Sequence, residues 1–307
     1  MPETVRIGLP RGLLYYKYGS LWEKFFEALG AQVIVSGETT KDMLTLGGVL
    51  DEVCLPLKVY VGHVASLAER ADCLFVPRIV SVARHTYTCP KMMGLPDIIR
   101  SSLDRLPVVI DTNVSLRTRN GGLLDAVINT GYQLGHNKIS SMAAWYSAWR
   151  QVSIEQRAFA VNPVISANAL KVGLIGHSYL IQDKFISMSA KDKLATMGVS
   201  VITSDMIPAR QAELAARNLD KQIYWSYCHH LTGSALALIN EQAVDGLIFM
   251  TSFSCGPDSM ISEIIKRKAD AGHIPFMLLN LDEHTAEAGL LTRLEAFTDM
   301  LKRRNRQ

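Results

Sequence analysis

Short apolar runs alternate with amphipathic stretches twice along this chain, and that alternation restricts the fold more than any other feature. "VRIGLP" (5–10), "AQVIVSG" (31–37), "DCLFVPRIV" (72–80) and "LPVVIDTNV" (106–114) read as strands. Between the first three lie "LLYYKYGSLWEKFFEALG", with helical spacing and a stop at Gly30, and "PLKVYVGHVASLAER" (56–70). The pattern restarts at "LKVGLIGH" (170–177) and continues through "VSVITSD", "VDGLIFM" and "IPFMLLNL", with helical stretches between them. Apolar runs separated by helices predict parallel strands in a doubly wound α/β sheet. Two such series predict two similar α/β domains, at residues 1–117 and 168–307.

Residues 118–167 lack a strand signal. "GLLDAVINTGYQLG" and "ISSMAAWYSAWRQVSIEQRAFAVN" read as helices that bridge the two halves. "VNPVISANA" (161–169) has the proline and polar residues of a linker, which sets the boundary near 163–169. With 307 residues, about two domains are expected. A net charge of +3 gives no reason to expect a nucleic-acid partner, and the basic end "KRRNRQ" reads as a solvated helix terminus. No apolar run is long enough to cross a bilayer, so no membrane role is expected. The N-terminus shows no secretory pattern, and the cysteine count of 5 is odd. A cytoplasmic location with reduced thiols is therefore expected, with cysteines that bind metal, react or pack rather than cross-link.

Three cysteines share a context. Cys54 lies in "DEVCLPLKVY", Cys89 in "HTYTCPKMMGLPDIIR" and Cys255 in "TSFSCGPDSM". Each is followed within two residues by a proline, and each starts a plausible helix. In a doubly wound sheet, strand-to-helix loops gather at the carboxyl edge, where ligands bind. Cys255 fits that pattern directly; Cys54 and Cys89 share only the helix start. A helix N-terminus predicts a lowered pKa for the Cys255 thiol, and Gly256 predicts a sharp turn or close backbone approach. Three thiolates suit an iron–sulfur cluster with one open iron, or a zinc with an open position. Lys58 and Lys91 closely follow two of the cysteines and would offset cluster charge; the competing reading is a solvated helix lysine. Cys73, inside an apolar strand, reads as core, and Cys228 in "WSYCHHLTG" as a helix start or part of a metal patch.

Other polar residues have two readings each. Arg11 and Arg78, at strand ends, would bind an anion or pair with a carboxylate. His177 at a strand end, with Tyr179 and Asp183 close by, is an acid–base candidate or a hydrogen-bonded structural histidine. His229 and His230 are adjacent and face different ways. "LDEHTAEAG" places Asp282, Glu283, His284 and Glu287 at a strand-to-helix turn, with Asp282 or Thr285 as the expected cap.

Taken together, "VRIGLPRGLLYYKYGSLWEKFFEALG", "CLPLKVYVGHV", "CLFVPRIVSV", "CPKMMGLPDIIR", "TSFSCGPDSMISEIIKR" and "FMLLNLDEHTAEAGLLTRLEAF" resemble the acyl-CoA dehydratase activase-related proteins. These are relatives of the 2-hydroxyacyl-CoA dehydratases, benzoyl-CoA reductases and double-cubane cluster proteins. The resemblance spans nearly the whole chain and is most specific from Ser252 to Glu263. It implies two Rossmann-like domains and a 4Fe–4S-type cluster held between them by Cys54, Cys89 and Cys255. It also implies a separate ATP-hydrolysing activase as the source of low-potential electrons, and it allows a double cubane shared across a homodimer. The rival readings are a dehydratase or reductase acting on its own small substrate, and a cluster-free regulatory or binding module. The chain carries no GxxxxGK[ST] loop and no convincing nucleotide fingerprint. The isolated protein is therefore expected not to hydrolyse ATP; sustained phosphate release by highly purified protein would contradict this.

Overall fold

The structure, a computed structural model, describes residues 4–117, 122–159, 169–217, 219 and 221–305. The expected linker at 163–169 lies, up to residue 168, outside the described residues. The chain divides into two compact units. The first comprises Met1–Asp51 and Leu57–Pro163, and the second Glu52–Pro56 and Val164–Gln307.

The first unit contains β1 (Arg6–Leu9), α1 (Tyr15–Ala28), β2 (Gln32–Val35), α2 (Lys41–Leu46), most of α3 (Leu55–Leu67), β3 (Cys73–Phe75), β4 (Arg78–Ser81), α4 (Pro90–Met93), α5 (Leu95–Ser102), β5 (Val108–Ile110), β6 (Asn113–Ser115), α6 (Leu123–Gln133) and α7 (Lys138–Phe159). Its main sheet is parallel, in the order β2-β1-β3-β5. Trp22 and Phe25 of α1 pack against Trp145 of α7, with ring centroids 5.1 and 5.6 Å apart. Phe75 on β3 lies 4.5 Å from Trp22, so one aromatic cluster joins sheet and helices.

The two longer strands expected in this half each break in two. Pro77 has no N–H to donate, so the ladder is interrupted there. The backbone bonds resume beyond it, from Arg78 N to the Thr112 carbonyl. β4 then pairs with β6 in a separate two-stranded sheet rather than extending the first.

The second unit contains β7 (Leu170–Ile175), α8 (Ser178–Gln182), α9 (Ala190–Thr196), β8 (Val199–Thr203), α10 (Ala209–Ala216), α11 (Ser226–Asn240), β9 (Gly246–Ser252), α12 (Gly256–Ala271), β10 (Phe276–Leu281) and α13 (Glu287–Arg304). Its parallel sheet runs β10-β9-β7-β8. All seven residues of β9 are buried, as expected of an inner parallel strand covered on both faces. The edge strand β10 has a mixed pattern instead. The chain is thus α/β, with parallel sheets flanked by helices as the alternation predicts.

In both sheets the second strand lies on one side of the first and the third on the other. The strand order therefore reverses between β1 and β3, and between β7 and β9. Ligands bind at such reversals, at the carboxyl ends of the strands. In the first unit this crevice is apolar, with about 60 Å³ of free volume lined by Leu9, Pro10, Phe75 and Pro77 among others. In the second unit it carries the polar residues described below.

α11 is almost wholly buried and lies close to α10. Gly233 permits this approach, because a Cβ there would overlap the Ala212 carbonyl. Gly233→Ala is expected to cost about 1–3 kcal/mol through overpacking. Gly256→Ala, with nothing within 4 Å of its Cβ position, should stay within about 0.5 kcal/mol. Paired thermal melts check both.

Candidate metal and thiol site

The loops after β7 and β9 bring together residues far apart in sequence. β7 ends at Ile175, and His177 follows as the residue before α8. β9 ends at Ser252, and Cys255 caps α12 with Asp258 in its first turn. Asp258 is completely buried. An acidic side chain suits the positive end of a helix, but a buried carboxylate also needs donors around it. His177 Nε2 lies 2.9 Å from Asp258 Oδ1, across 81 residues of sequence. Thr251 at the end of β9 donates its hydroxyl to Oδ2 at 3.1 Å. Cys228 in α11 directs its Sγ at Oδ1 from 3.6 Å. Tyr179 stacks on the His177 ring, with centroids 4.9 Å apart and planes 8° apart, and fixes its plane.

The electrostatics follow from this packing. Burial alone would raise the Asp258 pKa, yet it is held below the usual carboxylate range. The electrostatic influence of His177 and the hydrogen bonds from His177, Cys255 and Thr251 outweigh desolvation. Cys255 differs from the sequence expectation. Its pKa is raised, first by burial and then by the neighbouring Asp258 charge, with Cys54 adding to the effect. The helix terminus does not prevail over a desolvated thiol beside a carboxylate.

Cys54 falls within Glu52–Pro56, the short segment that belongs to the second unit. It directly precedes α3, whose first residue, Leu55, donates its N–H to Ser252 Oγ at 3.2 Å. That bond spans 197 residues and ties the Cys54 segment to the strand that leads to Cys255. Cys89 caps α4 in the first unit and is half-buried. Gly256 is exposed, with open space beside it, and its φ is not left-handed. The left-handed residue of this turn is Ser254, at φ 65°, so crowding of the turn by a larger residue at 256 is not expected.

Lys58 is buried, contrary to a solvated helix lysine, while Lys91 is half-buried in α4. Cys73 is buried in the core of the first unit, as expected. Arg78 takes the carboxylate reading, pairing with Asp97 at 2.8 Å and donating to the Met93 carbonyl. Arg11 lies 3.8 Å from Glu38. Asp183 accepts bonds from the Phe185 and Ile186 amides, a local structural role. His229 meets Glu213 at 2.9 Å, and His230 faces the Ser204 carbonyl. Asp282 and Thr285 close a turn on each other rather than capping α13, whose cap position is Ala286. Glu287 pairs with Lys193 at 2.6 Å.

Fold and site define an α/β protein of two parallel-sheet units, one of which carries imidazole, thiol and carboxylate at its strand-order reversal. The chain belongs to the family described as the CoA enzyme activase uncharacterised domain, whose model matches residues 6–207. A second model, the 2-hydroxyglutaryl-CoA dehydratase D-component, matches residues 161–301, in line with the superfamily resemblance. No curated protein matches the chain. Among the described residues, no helix is long and apolar enough to cross a membrane.

Asp258→Asn is expected to cost about 3–5 kcal/mol, the range for breaking one side of a buried charged pair. Denaturant unfolding monitored by circular dichroism tests this, and a change below about 1 kcal/mol would contradict the account of the network.

Proposed function

We propose that the chain is an iron–sulfur protein that accepts and relays low-potential electrons. In this reading Cys54, Cys89 and Cys255 hold a cluster of the 4Fe–4S type. The carrying observation is that Cys54 and Cys255 each directly precede a helix, and that the Leu55 N–H bond to Ser252 Oγ ties the two segments together. Thiols are the donors that iron–sulfur clusters require, and the open space beside Gly256 leaves room next to Cys255. When bound, such a cluster would supply one-electron transfer and, with three thiolates, one iron open to a small ligand.

The protein's own residues shape that environment. Asp258 and His177 form a buried hydrogen-bonded pair beside Cys255, so the Asp258 carboxylate is already partnered there. Buried Lys58 and half-buried Lys91 each follow a ligand cysteine closely and add positive charge. Positive charge and hydrogen bonds near a cluster raise its potential.

The absence of a phosphate loop leaves ATP hydrolysis to a separate activase, consistent with the activase and dehydratase-component descriptions of the two family matches. A cytoplasmic location, and a homodimer able to share a double cubane, belong to the same reading. The D-component match also favours a second reading, in which a small substrate reacts at the open iron. Turnover by reduced, cluster-loaded protein in the presence of an activase separates the two.

Cys54→Ala, Cys89→Ala and Cys255→Ala are each expected to lose most bound iron and sulfide after anaerobic reconstitution, with loss of the reduced-cluster paramagnetic signal. Cys73→Ala should keep both. Full iron retention in the Cys255 variant would overturn the assignment.

A further inference from the structure

We propose that the iron-free chain binds one divalent ion of the zinc class through His177, Cys255 and Asp258. A ring nitrogen of His177, Cys255 Sγ and an Asp258 carboxylate oxygen all lie within 4.8 Å of one another. Zinc takes nitrogen and oxygen donors at about 2.0 Å and sulfur at about 2.3 Å, so donors on one tetrahedral ion stand roughly 3.3–3.6 Å apart. From separations of at most 4.8 Å the donors close on that geometry as the ion draws them in, while the His177–Asp258 pair at 2.9 Å opens slightly. Two corners of a cubane hold their outer ligands much further apart. The group therefore fits a single ion rather than two irons of a cluster.

The surroundings are those of a prepared site. Metal-binding side chains are usually oriented by partners behind them. Thr251 and Cys228 hold the carboxylate, and Tyr179 holds the imidazole plane. His177 and Asp258 are buried, so an ion would face little competition from water. Nitrogen, sulfur and carboxylate donors together favour zinc over calcium or magnesium. Three protein ligands leave a fourth position for water, the arrangement of an open zinc site. On binding, the ion replaces the Cys255 thiol proton and any proton shared by His177 and Asp258, and these protons pass to solvent.

The inference does not rest on the cluster reading. The two occupants share Cys255 and exclude each other at that thiol. The zinc site makes no use of Cys54 or Cys89, so variants at those positions distinguish the two ideas.

The test titrates zinc and then cobalt(II) into full-length, reduced, metal-free protein. One equivalent is expected, with cobalt giving the intense visible bands of a tetrahedral site and a thiolate charge-transfer band. His177→Gln and Cys255→Ser should weaken zinc by more than about 100-fold, because even the partners behind a ligand are worth roughly 10–100-fold. Thr251→Val should fall within that 10–100-fold range. Cys54→Ala and Cys89→Ala should bind as the unaltered protein does. Zinc that depends on Cys54 or Cys89 and ignores His177 would overturn the proposal. So would a weak octahedral cobalt spectrum without thiolate bands in the unaltered protein, a readout independent of whether any variant folds.

Discussion

A carboxylate with no exposed surface has to be surrounded by donors, and in this protein that requirement organises the carboxyl edge of the second sheet. Asp258 draws its partners from the loop after β7, the end of β9 and the first turn of α11. The sheet supplies Thr251, the strand-order reversal supplies His177, and the buried helix α11 supplies Cys228. The cost of burying the charge is met because all three arrive at once. Losing one leaves the others facing an unbalanced charge, so their effects should not be additive.

Two similar sheets have acquired opposite crevices. After β1 and β3 the chain runs "PRGLLYY" and "VPRIV", and the crevice is lined by aliphatic and aromatic side chains. After β7 and β9 it runs "GHSY" and "SFSCGPD", and the crevice holds imidazole, thiol and carboxylate. The same topology therefore gives an apolar pocket in one unit and a donor group in the other. The residues at the strand ends and on the helices beside them decide which.

Much of this was legible in the sequence. Apolar runs of strand length separated by amphipathic stretches gave the α/β class, and the helix starts at Cys54, Cys89 and Cys255 stand where their prolines put them. The break at Pro77 had a visible signal in the proline itself, but the apolar residues on both sides masked it. His177 was identifiable as a strand-end histidine. Asp258 was not, because an acid in the first turn of a helix is ordinarily an exposed partner of the helix dipole. Its burial depends on α11 and on a residue 81 positions away. Lys58 had two readings in the sequence, and only its burial sets the solvated one aside, since nothing local distinguishes a buried helix lysine from a solvated one. The Cys255 expectation weighed the helix terminus alone, whereas burial and the adjacent carboxylate act in the opposite sense and are stronger.

The path of Cys54 is the least local feature of the protein. Five residues, Glu52–Pro56, leave the first unit's run of sequence and group with the second. The bond from the Leu55 amide to Ser252 Oγ satisfies a donor at the start of α3 that would otherwise lack an intrahelical partner. It also fixes Cys54 relative to the strand end from which Cys255 follows. A helix N-terminus held by a side chain from the other series of strands gives a physical reason for the Cys54 segment of the first half to group with the second unit. Spacing along the sequence, far too wide for a local metal-binding box, carries no trace of that tie.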